Sequence, residues 1–132
     1  MNGEFLLDTN IVIALTVRDS TVMERLEADV TVFLPSIVIG ELFFGAYRSG
    51  RVEENLEQVA DLAANNIVLA CDGATARHYG RIKNQLRDAG RPIPENDIWI
   101  CALALQHGLS VANRDAHFHE VEGIRLETWQ QT

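Results

Sequence analysis

Short apolar runs alternate along this chain with segments of helical periodicity, and that alternation narrows the available architectures more than any other feature. Glu4 to Leu7, Val30 to Leu34, Ile67 to Leu69 and Leu109 to Ala112 read as strands, with Ile124 to Glu127 as a fifth at the edge. Between them fall helical segments: Ile11 to Leu15, Ser20 to Ala28, Ser36 to about Arg48, Val52 to Asn65, and Gly73 to Ala89. A sixth, opened by Asp97 and capped by Asn96, runs to His107 and stops at Gly108. Ser36 reads as an N-cap, Gly50 and Gly90 as stop signals, and Pro92 and Pro94 as the bounds of a loop. Ile98 to Leu105 is apolar on every side, so that helix must be buried. The expected fold class is therefore α/β: a three-layer α/β/α sandwich around a mostly parallel sheet of four or five strands.

With 132 residues and no linker, repeat or low-complexity stretch, residues 1–132 are expected to form a single domain. The apolar fraction, 47%, excludes a disordered chain. No basic leader opens the sequence and no apolar stretch is long enough to span a bilayer, so a cytoplasmic protein is expected. Cys71 and Cys101 both lie in apolar surroundings, far apart in sequence, and read as two buried thiols. A net charge of −8 argues against a protein that simply coats nucleic acid, yet it suits an enzyme whose site is a carboxylate cluster neutralised by cations. Ten of the eleven basic residues are Arg, a bias that fits anion recognition or reflects genome composition.

Four acids stand out by position. Asp8 and Asp115 each follow a strand, and the carboxyl ends of strands are where open α/β sheets bind ligands. Asp8 would also serve as the N-cap of the next helix, and Asp115 as an ordinary turn residue. Glu41 lies within the apolar run Ile37 to Phe44, where a carboxylate must be paired, protonated, metal-bound or turned to solvent. Asp97 opens the buried helix, either favouring its dipole or pointing into a site. Brought together, these carboxylates would repel one another until a divalent cation relieved the crowding. All-oxygen donors suit Mg²⁺ or Mn²⁺ better than Zn²⁺.

The order Leu6-Leu7-Asp8-Thr9-Asn10, Ile39-Gly40-Glu41-Leu42, Asn96-Asp97 and Asn113-Arg114-Asp115 resembles the PIN domain, and more narrowly the VapC-type toxins of bacterial toxin–antitoxin pairs. The similarity runs through Gly123 to Trp129 and so covers nearly the whole chain. It implies a PIN-like sandwich and an Mg²⁺- or Mn²⁺-dependent endoribonuclease with Asp8, Glu41, Asp97 and Asp115 as catalytic and metal-binding acids. It also implies Thr9 as a hydroxyl beside them, and a cognate antitoxin carrying a DNA-binding domain. Asn113 departs from the family, which usually has Ser or Thr there, though an amide also orients a water or a carboxylate. An antitoxin tail is expected to lay apolar residues on the helix of Phe43, Phe44 and Tyr47 and to place an Arg or a Lys among the four acids.

That helix carries more aromatic surface than one core needs, which points to an interface, and the resemblance implies that it serves a homodimer within a larger toxin–antitoxin assembly. Arg48, on the face of Glu41, and Arg77 and Arg81, opposite the Tyr79–Ile82–Leu86 stripe, are candidate RNA or partner contacts; each also fits a solvated helix face. His117 and His119 alternate in a loop and so diverge, a poor arrangement for a metal. Three other classes compete with the nuclease. A haloacid-dehalogenase-like phosphatase needs a second Asp where Asn10 stands, and Lys83 is poorly placed for its phosphate-binding lysine. A receiver-like domain needs adjacent N-terminal acids and a strand-end Lys. An inactive PIN-like scaffold would have lost one of the acids, and all four are here.

Overall fold

The computed structural model describes residues 3–114 and 116–130. Among the described residues five strands and six helices follow one another, the helices in pairs: β1 (Glu4–Leu7), α1 (Thr9–Thr16), α2 (Ser20–Glu27), β2 (Thr31–Pro35), α3 (Ser36–Tyr47), α4 (Val52–Ala64), β3 (Ile67–Leu69), α5 (Gly73–Asp88), α6 (Glu95–His107), β4 (Ser110–Asn113) and β5 (Leu126–Thr128). A 3-10 turn, Ala116–Glu120, links β4 to β5. All five strands are parallel, in the order β3-β2-β1-β4-β5. The sheet is thus wholly parallel where the sequence indicated only mostly so, and the fifth strand does form at the edge, over Leu126–Thr128 rather than Ile124 to Glu127.

Parallel strands covered by helices on both faces lose the polar–apolar alternation of a half-exposed sheet. Phe5, Leu6 and Leu7 of β1 are all buried, as are Val111 and Ala112 of β4 beside them. Helices α1 and α2, α3 and α4, and α5 and α6 pack as pairs, and α3 also meets α6. Six residues of α6 are buried, as its uniform apolarity required. Trp129 is fully buried just past β5, edge-on to Phe5 with ring centroids 5.3 Å apart, so the segment leaving β5 packs against the central strand.

Several boundaries differ from the sequence reading. Pro35 and Pro94, not Ser36 and Asn96, occupy the N-cap positions of α3 and α6, and neither helix has a side-chain cap. Glu95, expected in the loop, is the first residue of α6. A proline cannot donate a backbone hydrogen bond and favours extended backbone, so it ends the incoming segment and lets the helix begin at the following residue. Cys101 is buried as expected, whereas Cys71 is exposed at the mouth of α5. The apolar residues next to Cys71 in sequence belong to β3, which ends before it.

Candidate active site

Sheet order reverses at β1: β2 lies on one side of it and β4 on the other. Connections leaving β1 and β4 therefore diverge, opening a crevice at their carboxyl ends, where ligands bind in open α/β sheets. Asp8 stands at that point. Its N–H donates to the carbonyl of Ala112 at 3.1 Å, which continues the β1–β4 ladder by one residue. Its side chain is only 2% exposed, and Oδ1 accepts from the N–H of Ile11 at 3.0 Å. Both sequence readings of Asp8 therefore meet in one residue: it caps α1 and sits at the switch point of the sheet.

Thr9, the first residue of α1, reaches across to α3: its hydroxyl donates to Glu41 Oε1 at 3.0 Å. Glu41 is half-buried, so it is neither sealed in the core nor free in solvent. The hydroxyl fixes its rotamer, and Gly45 one turn on leaves open space. Thr9, Glu41 and Gly45 line an open groove of about 680 Å³ between α1, α3 and α4, with Ile13, Leu42 and Val59 as part of its apolar wall.

Asp97 occupies the first turn of α6, with its N–H donating to the carbonyl of Pro94 at 3.0 Å. Carboxylates at that position complement the positive end of the helix dipole. Cys101 follows one turn later and is completely buried, so Asp97 lies on the inward stripe of α6. Burial pushes the Cys101 thiol far up, and the Asp97 charge adds to that shift. Glu95, at the outer edge of the same turn, is held below the usual carboxylate range by hydrogen bonds from the Tyr79 hydroxyl and Lys83.

Asp115 lies outside the described residues, but the residue before it is firmly placed. Arg114 Nε donates to the carbonyl of Trp129 at 2.7 Å, and Nη2 pairs with Asp19 Oδ1 at 3.0 Å. Asp19 also caps α2, accepting from the N–H groups of Thr21 and Val22. One carboxylate thus ties the end of β4 to the start of α2 and, through Arg114, to Trp129 after β5. Sequence reasoning missed this junction. The Asp19-Ser20 pair signals a cap, but nothing local signals a partner 95 residues away. Asn113 is buried, and its amide donates to the carbonyls of Val111 and Glu127 at 3.3 Å each, so it braces β4 against β5.

The structure therefore links Asp8 to β4 directly and Glu41 to the same edge through Thr9, and sets Asp97 on the inward face of α6. Among the described residues, no three His, Cys, Asp or Glu side chains stand close enough to enclose a metal ion. Arg48 is exposed at the C-cap of α3, and Arg77 and Arg81 are exposed on α5. Phe43 is half-buried against the core, whereas Phe44 and Tyr47 are 69% and 64% exposed. His119 is exposed.

A family model described as the PIN domain matches residues 5–124, most of the chain. The chain belongs to the PIN domain family. The match begins within β1 and takes in Asp8, Glu41, Asp97 and Asp115. Ribonuclease VapC2 of Haemophilus influenzae is 34% identical over 129 residues, covering 96% of this chain and 98% of its own length. The tRNA(fMet)-specific endonuclease VapC of Shigella flexneri is also 34% identical, with the same coverage. Among solved structures, a chain of DNA-bound VapBC from Salmonella typhimurium superposes with a TM-score of 0.87 at 31% identity, covering 98% of this chain and all of that one. A chain of the promoter-bound VapBC2 complex of Rickettsia felis has the same TM-score at 24% identity and so speaks for the PIN fold alone.

Proposed function

We propose that this PIN domain is the endoribonuclease toxin of a toxin–antitoxin pair, cutting RNA phosphodiester bonds with Mg²⁺ or Mn²⁺. The observation that carries the reading is the buried Asp8 at the β1/β4 switch point, with Glu41 held toward the same edge by Thr9. Full-length similarity to proteins named ribonuclease VapC supports it.

The donor set fits a hard divalent cation, since every candidate ligand is a carboxylate and no His or Cys competes among them. Asp8 and Asp97 would hold it most directly, with Glu41 and Asp115 ligating or acting through waters. The bound cation would supply a more acidic water and charge stabilisation at the scissile phosphate. The chain's own residues do the rest. The N–H of Ile11 holds Asp8 in one orientation, and the Thr9 hydroxyl does the same for Glu41. A carboxylate of the cluster takes the proton from the water as its oxygen bonds to phosphorus, and the ester oxygen on the opposite side leaves.

Among the described residues no helix is long and apolar enough to cross a membrane, in keeping with a cytoplasmic toxin. An antitoxin tail would lay apolar residues on α3 at Phe43, Phe44 and Tyr47 and set an Arg or Lys among the acids, and the DNA-bound VapBC complex is in keeping with an antitoxin that carries a DNA-binding domain. The purified protein is expected to cleave RNA with Mg²⁺ or Mn²⁺ and to stop with EDTA. Asp97→Asn should lower cleavage by orders of magnitude while circular dichroism stays native. Wild-type cleavage by that variant, with contaminating nuclease excluded, would refute the site.

A further inference from the structure

Five of the eleven basic residues of this acidic chain fall between Gly73 and Arg91, with Asp88 as the only acid among them. Thr75, Ile82 and Leu86 turn the opposite face of α5 to the core, and Arg77, Arg81, Lys83 and Arg87 are all exposed. At 100° per residue the basic side chains form two rows, Arg77–Arg81 and Lys83–Arg87. Gly80 and Asn84 lie in the furrow between them, and a Cβ added at Gly80 would meet nothing within 4 Å.

Lys83 is committed: it pairs with Glu95 at 3.2 Å and donates to the Tyr79 hydroxyl at 3.1 Å. Arg77, Arg81 and Arg87 have no carboxylate at ion-pair distance among the described residues. Three unpaired guanidinium groups along about 15 Å of one helix face lend each other no stability. Such a surface is complementary to a polyanion.

The rows also lead somewhere. The Lys83–Arg87 row is the one that meets α6, since Tyr79 and Lys83 both hydrogen-bond Glu95, two residues before Asp97. A notch of about 290 Å³ separates Arg87 from Glu95, with Leu86, Ile93 and Ile98 in its apolar floor. Beside it Tyr79 and Trp99 stack with centroids 4.2 Å apart, and both are half-buried.

We infer that the exposed face of α5 is the track for the single-stranded RNA flanking the cut, with Arg77, Arg81 and Arg87 on successive phosphates as the strand approaches the α6 end of the site. This deepens the nuclease reading and rests on it. The chain's overall charge repels RNA, and a local basic track is how an acidic nuclease would still capture its substrate. Guanidinium groups bind phosphate oxygens through paired N–H donors, which favours Arg over Lys on such a track.

The test uses the full chain carrying Asp97→Asn, so that the probe stays intact, and a fluorescein-labelled single-stranded RNA of about twenty nucleotides. Affinity is read by anisotropy from about 0.05 to 0.2 M salt. Adding Arg77→Ala, Arg81→Ala and Arg87→Ala should weaken binding at least tenfold at the low-salt end. It should also flatten the log–log salt slope by about 2, near 0.7 per lost single-strand contact. Arg51→Ala, an exposed Arg just before α4, should leave the slope as it was. In otherwise wild-type protein the triple variant should raise KM far more than it lowers kcat. An unchanged slope in a chain that cleaves RNA overturns the track alone, and an equal per-residue effect of Arg51→Ala overturns it as mere net charge. Loss of antitoxin binding with RNA binding intact would mean an acidic protein segment occupies the face and overturns the RNA track. A wild-type chain that cuts no RNA overturns both readings.

Discussion

Asp8 shows how one residue serves stability and chemistry through separate properties. As the N-cap of α1 it needs only a side-chain oxygen to accept from Ile11; as a metal ligand it needs a negative charge. Asn caps helices about as well as Asp, whereas Ala does not. Asp8→Asn is therefore expected to unfold within about 0.5 kcal/mol of wild type and Asp8→Ala about 1 kcal/mol lower. Both should lose cleavage by orders of magnitude. Urea unfolding alongside an RNA cleavage assay separates the two properties, and an active Asp8→Asn would remove Asp8 from the chemistry. Glu41 was harder to place from its neighbours alone. Its apolar run suggested a buried charge, but the run wraps around a helix whose Glu41 side is only half covered, next to the Thr9 hydroxyl. Periodicity alone could not show that α1 would supply that hydroxyl.

Helices and strands were legible wherever their signals were local. Gly90 and Gly108 have φ of 67° just past α5 and at the end of α6, the left-handed conformation that made them readable as stops. The caps of α3 and α6 were misread because Ser36 and Asn96 have capping side chains, yet the prolines before them already set the helix starts. Junctions between elements were not legible at all. Asp19 caps α2 in a way its sequence neighbours suggest, but its pairing with Arg114 exists only because β4 ends where α2 begins. Burial acts to raise the Asp19 pKa, but the N–H of Val22, the Arg114 guanidinium and the N–H of Thr21 together outweigh it and hold the pKa below its ordinary 3.8. A depressed carboxyl pKa gives stability that is complete above the unfolded value and lost as pH falls through the folded one. Asp19→Asn keeps the cap and removes the charge. Its deficit in urea midpoint against wild type should be full at neutral pH and shrink below pH about 4. A deficit that stayed constant down to pH about 2 would show that the ion pair with Arg114 contributes nothing.

Over the whole molecule, the surface that the fold leaves apolar matters most. Phe44 and Tyr47 on α3 and Val17 after α1 are each more than 60% exposed, and Ile13 on α1 is 45% exposed. Large apolar side chains left exposed on the surface of a small domain point to an interface. A symmetric homodimer would cover them with the same patch of a second copy. Sedimentation at micromolar concentration is expected to give a mass near twice 14.7 kDa. Phe44→Asp, at an exposed position, should return the chain to a monomer without loss of helical signal. A wild-type monomer under those conditions would leave the patch to the antitoxin alone.

The sequence by itself determined the class of fold, the order of its strands and helices and the burial of α6, and it marked four acids as candidates for the site. Each of these rests on short-range information: apolar periodicity, stop residues, and acids set at strand and helix ends. Tertiary structure decided what those signals could not reach. It made β1 the central strand and switch point, turned Asp8 into both a cap and a candidate ligand, and gave Glu41 its partner in Thr9. It also exposed Cys71, joined Asp19 to Arg114, and set the basic face of α5 against the Asp97 end of α6. Those facts depend on which elements lie side by side, and adjacency in space follows from packing the whole core rather than from any stretch of residues within it.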